Sequence, residues 1–550
     1  MSRNPFTRNP VIHRPWTGGH RANDTSGRML KHPGGFRCIN DIWMANNLKM
    51  ALLSGAMVVT SSAVELPRMF SDHGVLQQGS IVPVWGWASP GETVQVGFGG
   101  QKVGGKADQN GEWRIELKDL TVDRTGRKMT VTGDSSGTVE VGDLLVGEVW
   151  MASGQSNMQR PLAGSEHGKD DAAAADFPNI RMFLAHQKPH DVPQRKAGGS
   201  WVPATPSTAG EFSAVGYYFA LRLHQELGVP IGIIRPVFPG KPVEAFTSRE
   251  GLLAKPEGAA LVHALDEEVR KYKEQEPQLI AAYKAAMASG EPGRRRRGPH
   301  MPYSPALEED APSALYNGMI HAWVGYAMKG AIWYQGESNA SRAKQYETIF
   351  PQLIEDWRRL WKNDFSFYFV QLANFKEPST EPGIPDEWAE LQNAQRLALS
   401  LPKTGMAVIN DIGMAGDVHP ANKKDVGYRL ARLALAKDYG KTGFCIAGPI
   451  YKRSKIEGNS VRIQLDHAKG MRSRDGGPLK RFEIAGTDQK WHWAEAVIIG
   501  ESVVVSSKEV PQPVAVRYAW AANPEGANLV NEDGLPASLF RTDDWKLSTE

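Results

Sequence analysis

Four short segments of the 550-residue chain carry the residue types that acyl chemistry needs. The first is Ser153-Gly154-Gln155-Ser156-Asn157 in GEVWMASGQSNM, where an apolar run stops abruptly and small, polar residues follow. Gly154 permits a tight turn, and Ser156 falls at or near the start of the next helix. Backbone N–H groups point outward there and can meet a developing oxyanion. Position 158 is methionine, so this is not the Gly-x-Ser-x-Gly elbow of α/β-hydrolases. A serine in a strand–turn–helix link is also an ordinary N-cap, and it needs a base before it counts as a nucleophile.

A base and an orienting carboxylate are both present in DVHPANK. Asp417 and His419 lie two apart, so the carboxylate can reach back to Nδ1 and leave Nε2 for Ser156. Pro420 biases His419 toward extended backbone. Two other readings stay open here: a surface-loop histidine, or metal ligation by Asp417 and His419 with Asp411 in reserve. The third segment, AIWYQGESN, ends an apolar strand in Gln335, Glu337 and Asn339. Gln335 and Asn339 are neutral amide donors of the kind that stabilises charge on oxygen. Glu337 can hold polar groups in place or act on a substrate, and plain helix capping is the alternative for this turn. The fourth segment, RPVFPGKPVEAF, sets Gly240 after a strand, where a missing Cβ lets a ligand approach the backbone N–H.

The elements that must position these residues follow from periodicity. The middle of the chain alternates apolar strands at 148–153, 231–235, 330–334, 366–371 and 405–410 with helices at 211–227, 343–361 and 387–400. Tyr346, Phe350, Leu353, Trp357 and Leu360 recur at helical spacing and predict one buried stripe. Such alternation implies a parallel sheet covered on both faces, with ligands bound beyond the carboxyl ends of its strands. All four polar segments fall at such ends. Residues 64–145 and 441–550 instead show short alternating runs broken by turn residues, which predict accessory β regions of sandwich or jelly-roll type. Residues 250–312, helical and then rich in Pro, Gly and Arg, read as an insertion in a domain spanning 146–440.

Bulk properties narrow the function further. A net charge of +3 argues against a dedicated nucleic-acid surface, and the Arg294–Arg297 run between Gly and Pro residues reads as a solvated loop. Residues 1–43 lack sustained periodicity and read as disordered, or as an artefact of the assigned start, with Met44 as the true one. From Met44, one lysine, an apolar run and a small-residue Ser-Ser-Ala ending at Ala63 form the pattern of a secretory signal peptide, too short to span a bilayer. Its cleavage leaves Cys445 as the remaining cysteine and implies a periplasmic or secreted protein without a membrane association.

The blocks GEVWMASGQSNM, WYQGESN and DVHPANK resemble the signature blocks of the SGNH-hydrolase superfamily, most closely its sialate O-acetylesterase-like carbohydrate esterases. The likeness runs from about residue 65 to the C-terminal stretch NLVNEDGLPASLFRTDDW. It implies a three-layer α/β/α domain with a flavodoxin-like parallel sheet. Ser156 would be the nucleophile, His419 the base and Asp417 the orienter. The Ser156 N–H, Gly240 and Gln335 would form the oxyanion hole, with Asn339 in reserve. Gln155, Asn157, Glu337 and Lys241 are the expected substrate contacts. The activity implied is serine-based removal of O-acetyl groups from sialic acids or from plant polysaccharides such as xylan or xyloglucan. No cofactor or metal is required. A non-catalytic carbohydrate-binding protein is the alternative from another class. Relatives carry Trp-Gly-Gly-Thr where this chain has Phe238-Pro239-Gly240-Lys241, and Pro239 has no N–H to donate.

Overall fold

The computed structural model describes residues 63–289 and 301–550. The expected extension, the leader up to Ser62 and the Arg294–Arg297 run lie outside these residues. The central sheet contains β1 (Gly137–Gly154), β2 (Phe177–Ala185), β3 (Gly199–Ala204), β4 (Ile231–Arg235), β5 (Gly330–Tyr334), β6 (Ser366–Val370) and β7 (Thr404–Ala407), in the order β7-β6-β5-β1-β4-β2-β3. Neighbours are parallel except β2 and β3, which pair antiparallel. The result is a mixed α/β fold with a mainly parallel central sheet. Every residue of β5 and β6 is buried, as expected where helices cover both faces of a parallel sheet.

Helices α1 (Ser156–Gln159), α2 (Ala214–Leu227), α3 (Pro256–Ser289), α4 (Ala343–Trp361), α5 (Glu387–Leu397) and α6 (Lys424–Lys437) serve this sheet or flank it. α2 packs against α6, and α4 against α5. α2 starts at a built cap: the Ser213 Oγ accepts from the Gly216 N–H at 3.0 Å, and Gly228 closes the helix at φ +64°. In α4 the predicted stripe is buried at Tyr346, Phe350, Leu353 and Trp357, with Leu360 partly covered. Trp333 of β5 meets Trp357 edge-on at 5.9 Å and Phe350 at 6.4 Å, so aromatic bulk fixes how far α4 stands from the sheet.

Two features depart from the sequence reading. Strands β2 and β3 were not anticipated, and β1 runs through the expected division at 145/146. The first part of β1 pairs antiparallel with Asp123–Gly133. From Leu144 onward its residues are buried, because there it enters the covered parallel sheet. The N-terminal strands consequently share one hydrophobic core with the central sheet. Beyond α6, antiparallel sheets form, including one ordered Ile450–Glu457, Ser460–Asp466, Ser502–Ser506, Glu495–Ile499. Val461, Ile463, Leu465, Val503 and Val505 alternate inward into a second core. Among the described residues no helix is long and apolar enough to cross a membrane.

Gly154 ends β1 at φ +130°, paired in register with Tyr334 of β5. A Cβ there would stand 2.1 Å from the Tyr334 carbonyl oxygen, in backbone that cannot swing aside. Gly154→Ala is therefore expected to destabilise the fold by about 2–4 kcal/mol. Urea denaturation checks this; a change below about 0.5 kcal/mol would contradict the assigned close approach.

Candidate active site

The turn after β1 brings Ser156 to the first position of α1, with Gln155 as its N-cap in extended backbone. Helix α1 buries Asn157 and Met158, and this leaves Ser156 half-exposed at the sheet edge. The loop between β7 and α6 supplies His419. His419 Nε2 lies 2.8 Å from Ser156 Oγ across 263 residues of sequence. On the other side of the ring, Nδ1 is 3.2 Å from Asp417 Oδ1, which also accepts the His419 backbone N–H at 2.8 Å. The two-residue spacing thus lets one carboxylate oxygen hold both the backbone and the ring of His419.

The loop is itself fastened to the helix that begins at Ser156. Asn157 Nδ2 donates to the Val418 carbonyl at 3.1 Å and to Glu337 Oε1 at 2.6 Å. Asn157 Oδ1 accepts from the Nζ of Lys423, a lysine with no exposed surface. Its ammonium also lies over the Tyr334 ring at 5.3 Å. Burial pushes the Lys423 ammonium down to about 7, opposed by the Glu337 charge. Burial likewise raises the Glu337 carboxyl, opposed by the Asn157 hydrogen bond and by the charges of Lys423 and His419. Glu337 Oε2 is shielded from solvent with no hydrogen-bond partner among the described residues.

These contacts correct several expected roles. Gln335 is fully buried, and its Nε2 donates to Asn339 Oδ1 at 2.6 Å and to the Lys241 carbonyl at 3.3 Å. Both amide protons are committed inward, so Gln335 has none left for an oxyanion. Asn339, the reserve donor, is buried, with its Nδ2 donating to Glu244 Oε2 at 3.0 Å and its Oδ1 receiving the Val243 N–H. Together the two amides brace the loop that follows Gly240. Gly240 itself is exposed at φ +67°, with no heavy atom within 4 Å of where a Cβ would stand. Glycine suits the turn's left-handed conformation there, and the space beside it is open. Asn157 is a buried brace, not a substrate contact, and Gln155 is buried. Lys241 pairs with Glu309 at 2.9 Å. Asp411, the reserve metal ligand, is bound by Arg429 at 2.6 and 2.9 Å and by Arg474 at 3.1 Å.

An open pocket of about 380 Å³ lies over the serine, lined by Ser156, Gln159, Arg160, Pro161, Glu211, Arg235 and His419. Apart from the serine and histidine, sequence reasoning missed these residues. The available signal was Arg235, a charge ending the apolar run Ile231–Ile234 at the carboxyl edge of β4.

Comparison with known proteins places the chain among carbohydrate esterases. Residues 305–436 match the family described as carbohydrate esterase, sialic acid-specific acetylesterase. The chain is 28% identical over 483 residues to the sialate O-acetylesterase of Mus musculus, covering 80% of this chain and 86% of that protein. For the Homo sapiens sialate O-acetylesterase the identity is 26% over 484 residues, covering 80% and 84%. A crystal structure of a carbohydrate acetylesterase from Xanthomonas citri superposes with a TM-score of 0.75 at 37% identity, covering 88% of this chain and 100% of that one. These relatives make the protein a carboxylic ester hydrolase. The chain belongs to the sialate O-acetylesterase-like family of carbohydrate esterases.

The buried lysine gives a signed pH effect. Its folded-state value, about 7, lies below the ordinary 10.5, so between those limits the unfolded chain holds the proton that the folded protein has released. Stability from this group therefore rises with pH across that window. Urea unfolding at about pH 7 and about pH 9 should show wild type gaining on Lys423→Met, by at most about 1.4 kcal/mol per pH unit. A difference that stays constant or shrinks would contradict the burial of Lys423 as described.

Proposed function

We propose that the protein hydrolyses O-acetyl esters on carbohydrates by a two-step Ser-His-Asp mechanism of the SGNH type. The observation that carries this reading is the 2.8 Å contact between Ser156 Oγ and His419 Nε2 at the carboxyl edge of a parallel sheet. Ser156 Oγ attacks the acetyl carbonyl carbon while His419 Nε2 takes its proton. Asp417 keeps the Nδ1 proton facing itself and stabilises the imidazolium that forms. The tetrahedral oxyanion is met by the backbone N–H of Ser156, which has no intrahelical partner at the first position of α1, and by the N–H of Gly240. Each such donor contributes about 3 kcal/mol to lowering the barrier. Gln335 and Asn339 act indirectly, by holding the loop that carries Gly240.

Collapse of the intermediate breaks the bond to the sugar oxygen, and His419 returns its proton to that oxygen. Water then attacks the acetyl-enzyme with His419 again as base, releasing acetate and restoring Ser156. The substrate class is an acetylated carbohydrate, in line with the activities named for the mammalian and Xanthomonas relatives. The leader pattern at 44–63 supports action in the periplasm or outside the cell.

Ser156→Ala removes the nucleophile and one partner of a half-buried hydrogen bond at the pocket surface, so it should fold normally. Turnover of para-nitrophenyl acetate is expected to fall by about 10⁴-fold or more, with an unchanged thermal unfolding midpoint. Retention of most activity would take Ser156 out of its assigned role.

A further inference from the structure

We propose that Asn374 is a positioning residue for the reaction: its carboxamide holds the loop that carries Asp417 and His419, and Asn523 of the C-terminal region holds Asn374. This rests on the Ser-His-Asp reading above and adds a residue outside the triad that acts through it. The loop between β7 and α6 needs such a hold. Among the described residues, both hydrogen bonds of the Asp417 carboxylate go to His419 itself, so neither ties the pair to the rest of the protein. Asn157 grips Val418 from one side only. On the upstream side, the Asp417 N–H closes a turn onto the Met414 carbonyl at 3.3 Å, and Met414, Ala415 and Gly416 are exposed. Packing cannot set the place of so exposed a turn; polar contacts must.

Residues 374–376, in the stretch between β6 and α5, supply those contacts. Asn374 Oδ1 accepts the Gly413 N–H at 2.7 Å, and the Lys376 N–H donates to the Ala415 carbonyl at 3.0 Å. The two loops touch, since a Cβ on Gly413 would stand 2.1 Å from the Asn374 carbonyl oxygen. Asn374 is anchored in its turn. Its Nδ2 donates to Asn523 Oδ1 at 3.2 Å, and Asn523 Nδ2 donates to the Lys376 carbonyl at 2.8 Å. Asn523 is buried. The Ala522 carbonyl before it accepts the Phe375 N–H at 2.9 Å, and the Ala522 N–H donates to Asp386 Oδ2 at 2.6 Å.

The direction of this chain is fixed at both ends. A backbone N–H at Gly413 requires the oxygen of Asn374, which turns the Asn374 amide toward the oxygen of Asn523. The Asn523 amide then meets a backbone oxygen at Lys376. Reversing either carboxamide would set donor against donor or acceptor against acceptor. A strut therefore runs from the C-terminal region through 374–376 to the turn just before Asp417. Without it, Asp417 and His419 can drift together while Ser156 stays on α1. A misplacement of about 1 Å costs about 100-fold in rate although no reacting group is removed. The loss falls on kcat and not on KM, because neither asparagine lines the pocket over the serine.

The test measures kcat and KM for para-nitrophenyl acetate, with kcat expressed per serine titrated to completion by an organophosphonate, so that misfolded protein does not count. Asn374→Ala is expected to lower kcat by about 10- to 100-fold and to leave KM within about twofold. Asn374→Asp keeps an acceptor for the Gly413 N–H and should restore kcat to within about threefold of wild type. An unchanged kcat in Asn374→Ala overturns the proposal, and so does a loss that Asn374→Asp fails to restore. If Asn374→Ala does not fold, Asn523→Ala decides, because it removes the support behind Asn374 and leaves the loop sequence intact. A fall in kcat of about 3- to 10-fold at constant KM supports the proposal, and an unchanged kcat overturns it. If wild type releases no acetate from any acetyl ester, the esterase reading falls on that result alone. Hydrogen exchange of the peptide spanning 411–419 then decides the hold on the loop by itself. Exchange about tenfold faster in the folded variant than in wild type supports it, and equal exchange overturns it.

Discussion

One contact organises the molecule: the 2.8 Å hydrogen bond that joins Ser156 Oγ to His419 Nε2 across 263 residues. Each partner is held by its neighbours in the fold. Ser156 is fixed by the end of β1 and by Gly154, whose missing Cβ lets the chain pass the Tyr334 carbonyl. His419 is fixed by Asp417 on its ring and backbone, and by Asn157, which grips the neighbouring Val418 carbonyl. Asn157, next to Ser156, therefore holds Val418, next to His419. Such coupling keeps two groups at attack distance without relying on the half-exposed Asp417 alone, whose field is screened by water.

Behind that contact lies a buried polar network of unusual cost. Lys423, Asn157 and Glu337 are linked beneath the site, and Gln335, Asn339 and Glu244 are linked beside it. Burying charged groups is unfavourable unless they are paired and hydrogen-bonded. Here the pairing also ties four separate chain segments into one arrangement: 155–157, 241–244, 335–339 and 417–423. An apolar replacement could fill the same volume but would not fix these loops in register. That is the physical sense in which amides and a lysine, none of them touching the pocket, support the chemistry.

Much of the fold was legible because its signals are local. The apolar runs at 231–235 and 330–334 and the helical stripe of 343–361 coincide with β4, β5 and α4. The pair β2 and β3 was missed for physical reasons: β3 contains Pro203 and opens on Gly199, and the register between the two strands shifts between Phe177 and Arg181. The 145/146 division failed to mark a structural break because β1 changes partners without interruption, and only burial records the change. At the site, residue type singled out Ser156, His419 and Asp417, and the structure brings their side chains within hydrogen-bond reach of one another. Residue type could not separate amides that face a ligand from amides that face a loop. Gln335, Asn339 and Asn157 have donors suited to either task, and only three-dimensional neighbours assign them. Arg235 and Lys423 were overlooked because a lone cation in sequence carries no sign of whether an anion pairs with it.

The central claim is that a serine oxygen activated by His419 becomes acylated. The most direct measurement is rapid acid quenching of the enzyme during turnover of an acetyl ester, followed by peptide mass spectrometry. The account predicts an acetyl group on the peptide containing Ser156 and nowhere else. Steady turnover with no acetylated peptide, or with the acetyl group on a different residue, would contradict it.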